Sequence, residues 1–360
     1  MTSTWTVAHD FAFHFGGAER VTAQLQAAVG TEPLRVLAGS DEVIRRMGMA
    51  NQHIRLSPSW VNEANYRPLA LVHALTASHT AAVEGNLLAS SYGFSQMLGS
   101  KGLKVVYCHS PLRQAWSGIR EYSKAMGPLI GSAWRYGAAP VIRGLDRRAT
   151  RSTDHFIATS RAVQDRILLY YGRESIIIPP PVDEVFTPSF VSHSAGRNYV
   201  WAGRIVEPYK KLGMLVEAFA QSPERTLTVV GDGRDRLEIE SKAPGNVQFI
   251  GEVDSEALAE IYQTASAVIM PSEDDFGMVA TEAIATGTPV IAFKAGGALD
   301  TVRHGRSGIL YSESSPKGII SGLREFESHS WDRREVAKCG EKYTARVFRR
   351  TIKDFLSEIA

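Results

Sequence analysis

PSEDDFGMVATEAIATGTPVIAFKAGG, residues 271–297, is the stretch from which the fold is read. An apolar run at 267–270 breaks at Pro271, and three acids follow, Glu273, Asp274 and Asp275. Phe276, Gly277 and Met278 lead into residues 279–286, where closely spaced alanines predict a short helix ended by Gly287. Pro289 opens an apolar strand over 289–293. The pattern is strand, acidic loop, helix, strand. Such a loop sets carboxylates and backbone N–H groups at a helix start, where open α/β sheets take anions and polyols. An acidic, solvated loop in front of a tightly packed helix is the alternative this stretch alone leaves open.

With 360 residues, 44% hydrophobic and 22% charged, the chain has material for about two cores. No apolar run approaches the length of a bilayer span, and the start, MTSTWTVAHD, has neither a basic region nor an apolar signal core, which predicts a cytoplasmic protein. Cys108 and Cys339 stand far apart and in no metal spacing, so neither a disulfide framework nor a zinc site is expected. The net charge of +2 conceals an asymmetry: residues 1–180 carry 19 Lys/Arg against 12 Asp/Glu, and residues 181–360 carry 21 against 26. The excess concentrates in residues 101–173, with 13 basic and 4 acidic side chains among Trp116, Trp134, Tyr136, Tyr170 and Tyr171. A basic, aromatic surface of that kind attracts anionic lipid, lipid phosphate or nucleic acid, and a few solvated helix faces would give the same composition.

Along the chain, residues 4–8 read as a buried strand, 11–17 as a loop and 18–28 as a helix. Gly16 and Gly17 at that turn let the backbone approach a phosphate closely. Further strands are expected at 34–37, 87–90, 105–107, 156–159 and 175–178, separated by helical stretches, so a parallel sheet follows. His109 lies just past the end of the 105–107 strand, at the edge where such sheets bind ligands. Three prolines, 179–181, stiffen the chain and mark a domain boundary. A second series starts with a strand at 199–201, and after it Arg204 and Lys210, six apart across a turn, can converge on one anion before a helix at 212–220. GDGRDRL follows a strand at 227–230 but lacks the full dinucleotide glycine pattern, and the next strand, 247–250, does not end in an acid, which weakens an oxidoreductase reading. Helices are expected at about 333–346 and 350–359.

GGAER (16–20), YCHSPLRQAW (107–116), PPVD (180–183), the Gly203-Arg204 pair with Lys210, and the acidic stretch with its Gly296-Gly297 turn together resemble retaining glycosyltransferases of family 4. The resemblance implies an α/β chain of GT-B architecture. Two Rossmann-like domains would flank a cleft: an acceptor-binding domain at 1–180 and a nucleotide-sugar domain at 181–340, with a C-terminal helix, 341–360, packing back on the first. It implies that His109 faces the transferred sugar, that Arg204 and Lys210 hold the donor diphosphate, and that Asp274 contacts the sugar. Donor contacts would come from Gly16, Gly17, Gly203, Gly231, Val253, Glu273, Phe276, Gly277, Met278 and Val279, with Glu282 on the ribose. One departure stands out: eight residues before Glu282 is Asp274, where the family usually has Glu, so Glu273 is the alternative acid.

No Asp-x-Asp motif stands in a donor-loop context, so no metal is expected and the nucleotide sugar is a co-substrate rather than a cofactor. The EDDFG loop, the HSP stretch and the PPVD hinge are similar to those of members that use GDP-mannose, with UDP-glucose and UDP-N-acetylglucosamine left open. The acceptor would be a glycan, a lipid-linked or a small molecule, with an anionic membrane surface as a further partner and no nucleic acid. A sugar-nucleotide epimerase and a non-catalytic nucleotide-sugar binding protein are the alternatives, the second opposed by intact His109, Arg204, Lys210 and Glu282.

Overall fold

The computed structural model describes residues 4–29, 32–66, 82–189 and 196–360. The first three residues of the N-terminal stretch therefore lie outside the described residues. The chain divides into two units, Met1–Pro180 with Arg346–Ala360, and Pro181–Ala345.

The first unit is built on β1 (Trp5–Ala12), β2 (Leu34–Gly39), β3 (His53–Arg55), β4 (Asn86–Ser91), β5 (Lys104–Cys108), β6 (His155–Ala158) and β7 (Ile176–Ile177). These pair in the order β3-β2-β1-β4-β5-β6-β7, all parallel. All eight residues of β1 are buried, as expected of a central strand in a parallel sheet covered on both faces. The loop predicted from residue 11 is shorter than expected, because β1 continues to Ala12. His9 and Asp10 look like the end of an apolar run, yet both are fully buried and find partners on β4 and just beyond it.

In the second unit the strands are β8 (Asn198–Ala202), β9 (Thr226–Val230), β10 (Val247–Gly251), β11 (Ala267–Met270), β12 (Val290–Phe293) and β13 (Gly308–Tyr311). Their order is β10-β9-β8-β11-β12-β13, again all parallel. Each unit is thus Rossmann-like. In each, the strand order reverses once, between β1 and β4 and between β8 and β11. Open sheets bind ligands outside the strand ends at that reversal.

The expected helix at 333–346 is cut short. Arg333–Lys338 ends, a tight turn at Glu341–Tyr343 follows, and one helix then runs through Ala345–Ile359. The break comes where Gly340 meets the helix Met278–Ala285: a Cβ on Gly340 would stand 3.1 Å from the Ala285 Cα. Helix Ala345–Ile359 belongs to the first unit, where Phe348, Ile352 and Leu356, four apart on one face, join Val7, Val21 and Leu25 in a core.

The basic, aromatic segment also differs from expectation. Trp116 stacks on Tyr170 with centroids 4.7 Å apart, and the Arg143 and Arg147 guanidinium groups lie 5.1 and 4.9 Å from the Trp116 ring. Trp116 Nε1 and the Tyr171 hydroxyl donate to the buried Asp146 carboxylate at 2.6 and 2.9 Å, and Gln96 Nε2 donates to it too. Three of the five aromatics are therefore packing, not surface. What remains exposed lies on or next to the helices Ile119–Ala125, Pro128–Ala133 and Ala139–Thr150 and the wide turn Trp134–Ala138: the apolar Met126, Leu129, Ile130, Tyr136 and Val141, and the cations Arg120, Lys124 and Arg148.

Candidate active site

The reversal point of the second sheet gathers most of the predicted donor residues. After β8 come Gly203 and an exposed Arg204, then Lys210; after β11 come Glu273, Asp274 and Asp275. Because β8 and β11 are paired neighbours, their loops meet: Lys210 Nζ donates to Asp274 Oδ1 at 2.8 Å, and Ser272 Oγ donates to the same oxygen at 3.2 Å. The cation assigned to the diphosphate and the acid assigned to the sugar are thus an ion pair, 31% and 19% exposed. That exposure keeps its intrinsic contribution to stability small.

Glycine makes this edge possible. At Gly231, which follows β9 with φ of 121°, a Cβ would lie 2.0 Å from the Gly203 carbonyl oxygen, so only glycine fits where the chain leaves the two strands. The Gly296-Gly297 turn has a similar reason. Gly296 has φ of 57° and a Cβ there would come within 2.4 Å of the Asp274 carbonyl oxygen, while the Gly297 N–H donates to that oxygen at 2.8 Å. The turn after β12 thereby holds the acidic loop from behind.

Gly277, at φ 85°, starts the helix Met278–Ala285, and no side chain caps that end, so its first N–H groups suit an anion. Glu282 sits within this helix and is 5% exposed. Phe276 is a core residue, edge-on to Tyr343 with centroids 5.7 Å apart, so its loop offers a ligand backbone rather than the ring. Val253, Met278 and Val279 pack at the edge of the same core, and Val253 follows Gly251, the end of β10.

In the first unit, Gly16 and Gly17 lie between β1 and the helix Gly17–Val29. The Gly16 N–H donates to Glu19 Oε2 at 2.9 Å, so that N–H is engaged by its own helix. The other Glu19 oxygen is 3.3 Å from His9 Nε2. His9 Nδ1 lies 2.9 Å from Thr22 Oγ1 and 3.2 Å from the Ser90 carbonyl, Thr22 Oγ1 lies 2.6 Å from Ser90 Oγ, and Ser90 Oγ lies 2.8 Å from His109 Nε2. His109, predicted from its strand end, is thus the half-buried terminus of a buried polar line. Burial, with the His9 charge beside it, pushes the His109 imidazole down to about 3, so it is neutral at physiological pH. Burial also works against a charged His9, but the Glu19 hydrogen bond and carboxylate charge outweigh it and leave its pKa above the ordinary value. His9, Glu19, Thr22 and Ser90 escaped the sequence reading. The one signal was a His-Asp pair inside an apolar strand, since Ser90 stands 68 and 81 residues from Thr22 and His9 and leaves no spacing to read.

Among the described residues no cluster of His, Cys, Asp and Glu fit for a metal occurs.

Residues 196–328 match the family Glycosyl transferases group 1. This span carries β8 to β13, the glycine edge and the acidic loop. Among curated relatives, a D-inositol 3-phosphate glycosyltransferase of Geodermatophilus obscurus is 29% identical over 240 residues, 56% of this chain and 51% of the relative. The chain spans about half the length of the first curated relatives it matches. Among solved structures, Anabaena HepE in complex with UDP superposes with a TM-score of 0.71 at 17% identity, covering 98% of this chain and all of that one, and it has also been solved with UDP-glucose. Sucrose-phosphate synthase of Thermosynechococcus elongatus gives 0.69 at 18% identity, over 98% and 99% of the two chains. At such identities the likeness establishes the fold: two Rossmann-like domains in the GT-B manner.

Proposed function

We propose that the chain is a retaining glycosyltransferase that moves a hexose from a nucleoside diphosphate donor to a hydroxyl of its acceptor, without a metal. The observation that carries this reading is the reversal point of the second sheet, where Arg204, the Lys210–Asp274 pair, the glycine edge and an uncapped helix start converge. As the glycosidic bond breaks, charge gathers on the diphosphate, and fixed cations and N–H groups stabilise that charge more than the ground state. In this reading Asp274, or its neighbour Glu273, holds a sugar hydroxyl, Glu282 holds the ribose, and His109 in the first unit contacts the transferred sugar.

GDP-mannose is the leading donor on the wording of the EDDFG, HSP and PPVD stretches. UDP-glucose is the second reading, favoured by HepE, whose solved forms hold UDP and UDP-glucose. Thermal unfolding with GDP-mannose, UDP-glucose and UDP-N-acetylglucosamine separates them, since a bound donor at about 100 times its Kd stabilises by roughly 2.7 kcal/mol. A rise with UDP-sugars alone rejects the mannosyl reading, and no rise with any donor rejects the class.

For the acceptor, the excess of cations in residues 1–180 supports an anionic molecule, lipid-linked or small, presented at an anionic membrane surface. The exposed Leu129, Ile130, Tyr136 and Val141, and the exposed Arg120, Lys124 and Arg148 of the same run of helices, are the chemistry that such a surface takes up.

A further inference from the structure

The polar line in the first unit fixes which nitrogen of His109 carries its proton. Hydroxyls have one proton each and carbonyls none, so the donors can be assigned in turn from the far end. The Glu19 carboxylate only accepts, so His9 Nε2 bears a proton. His9 Nδ1 faces the Ser90 carbonyl, which also only accepts, so it bears one too and His9 is an imidazolium. The Thr22 hydroxyl proton goes to the Ala18 carbonyl at 2.8 Å, which leaves Thr22 Oγ1 to accept from His9 Nδ1 and from Ser90 Oγ. With its proton committed to Thr22, Ser90 Oγ accepts from His109 Nε2.

We propose that Glu19, His9, Thr22 and Ser90 are positioning residues that hold His109 as the Nε2–H tautomer, presenting a bare Nδ1 that accepts a hydrogen bond from a substrate hydroxyl. The inference rests on the reading above for the identity of the substrate, not for the tautomer. A second charge on His109 is opposed by the imidazolium beside it, which is why the ring stays an acceptor. The site then discriminates: a sugar or acceptor whose hydroxyl is replaced by fluorine or a methyl ether has no proton to give and is rejected, because Nδ1 and the hydroxyl position would both be left unsatisfied.

Nitrogen NMR of the full chain, labelled at its ten histidines, reads the tautomer directly. The His109 signal is the one missing from His109→Gln. The expected result is a neutral ring protonated at Nε2 alone. A ring protonated at Nδ1, or at both nitrogens at neutral pH, overturns the proposal, and His109→Gln need only fold to assign the signal. In the second arm, Ser90→Ala removes the acceptor that holds Nε2–H, and the signal should move toward a tautomer mixture while Ser90→Thr keeps the parent signal. With the donor found in the thermal screen, Ser90→Ala should lower turnover by about tenfold, the weight of one hydrogen bond, with donor affinity held and Ser90→Thr restoring the rate. An unchanged tautomer in Ser90→Ala overturns the positioning role. If the tautomer is as expected but His109→Gln transfers sugar like the parent, the contact with substrate is refuted while the proton assignment stands.

Discussion

Lys210 and Asp274 face each other at 2.8 Å as an ion pair, so their replacement will not be independent. If Lys210 and Arg204 stabilise the leaving diphosphate, Lys210→Ala and Arg204→Ala should each lower turnover by roughly 10²-fold or more, with a smaller loss of donor affinity. A merely solvated pair would change turnover by less than about threefold. Asp274→Asn tests the short acid: steady-state transfer should fall, and adding it to Lys210→Ala should cost less than the two single losses combined. Full activity in both Asp274→Asn and Glu273→Gln would reject the assignment of either acid to the sugar. The placement of His109 directly after β5, and of Lys210 in the loop after β8, could be read from the sequence because those strand ends were legible. The Glu19–His9–Ser90 line could not, because Ser90 joins it only when β1 and β4 pair.

Among elements, the acidic loop and the Gly296-Gly297 turn form one mechanical piece. Gly296→Ala would push a methyl group into the Asp274 carbonyl and strain a positive φ, so it should destabilise by about 1–3 kcal/mol and weaken donor binding as well, measured by urea unfolding and donor titration. The strand-loop-helix-strand grammar of this stretch was legible since each boundary carries a Pro or Gly. β3 and β13 were not, because each is only three or four residues long, too short for a period to show. The inward turn of Trp116, Tyr170 and Tyr171 was equally hidden, since composition cannot tell which face of a helix an aromatic residue occupies. Asp146, which accepts from Trp116, Tyr171 and Gln96, has its pKa pushed up to about 6 by burial, these three donors only partly offsetting this. A carboxyl with a raised folded pKa contributes stability below its unfolded value that is lost as pH rises through about 6. The stability of the parent relative to Asp146→Asn should therefore fall by roughly 2–3 kcal/mol between pH 4 and 7, read by urea unfolding across that range. The exposed apolar and basic face of the neighbouring helices should give salt-sensitive binding to vesicles with acidic lipid. Equal recovery with neutral and anionic vesicles, or none with either, would assign the acceptor to solution.

At the scale of the whole molecule, the chain passes between its two units twice, after Pro180 and after Ala345. The second unit is one continuous stretch, whereas the first unit is closed by Phe348, Ile352 and Leu356, contributed after the other unit is complete. Ile352 is fully buried, and Ile352→Ala should destabilise the first unit by about 2–5 kcal/mol without altering donor-induced stabilisation of the second. On the ribosome this arrangement inverts the usual order of completion. The residues of the first sheet emerge early and wait with one hydrophobic face uncovered, the second unit can reach its native state while still tethered, and only the arrival of residue 356 seals the half that began synthesis first.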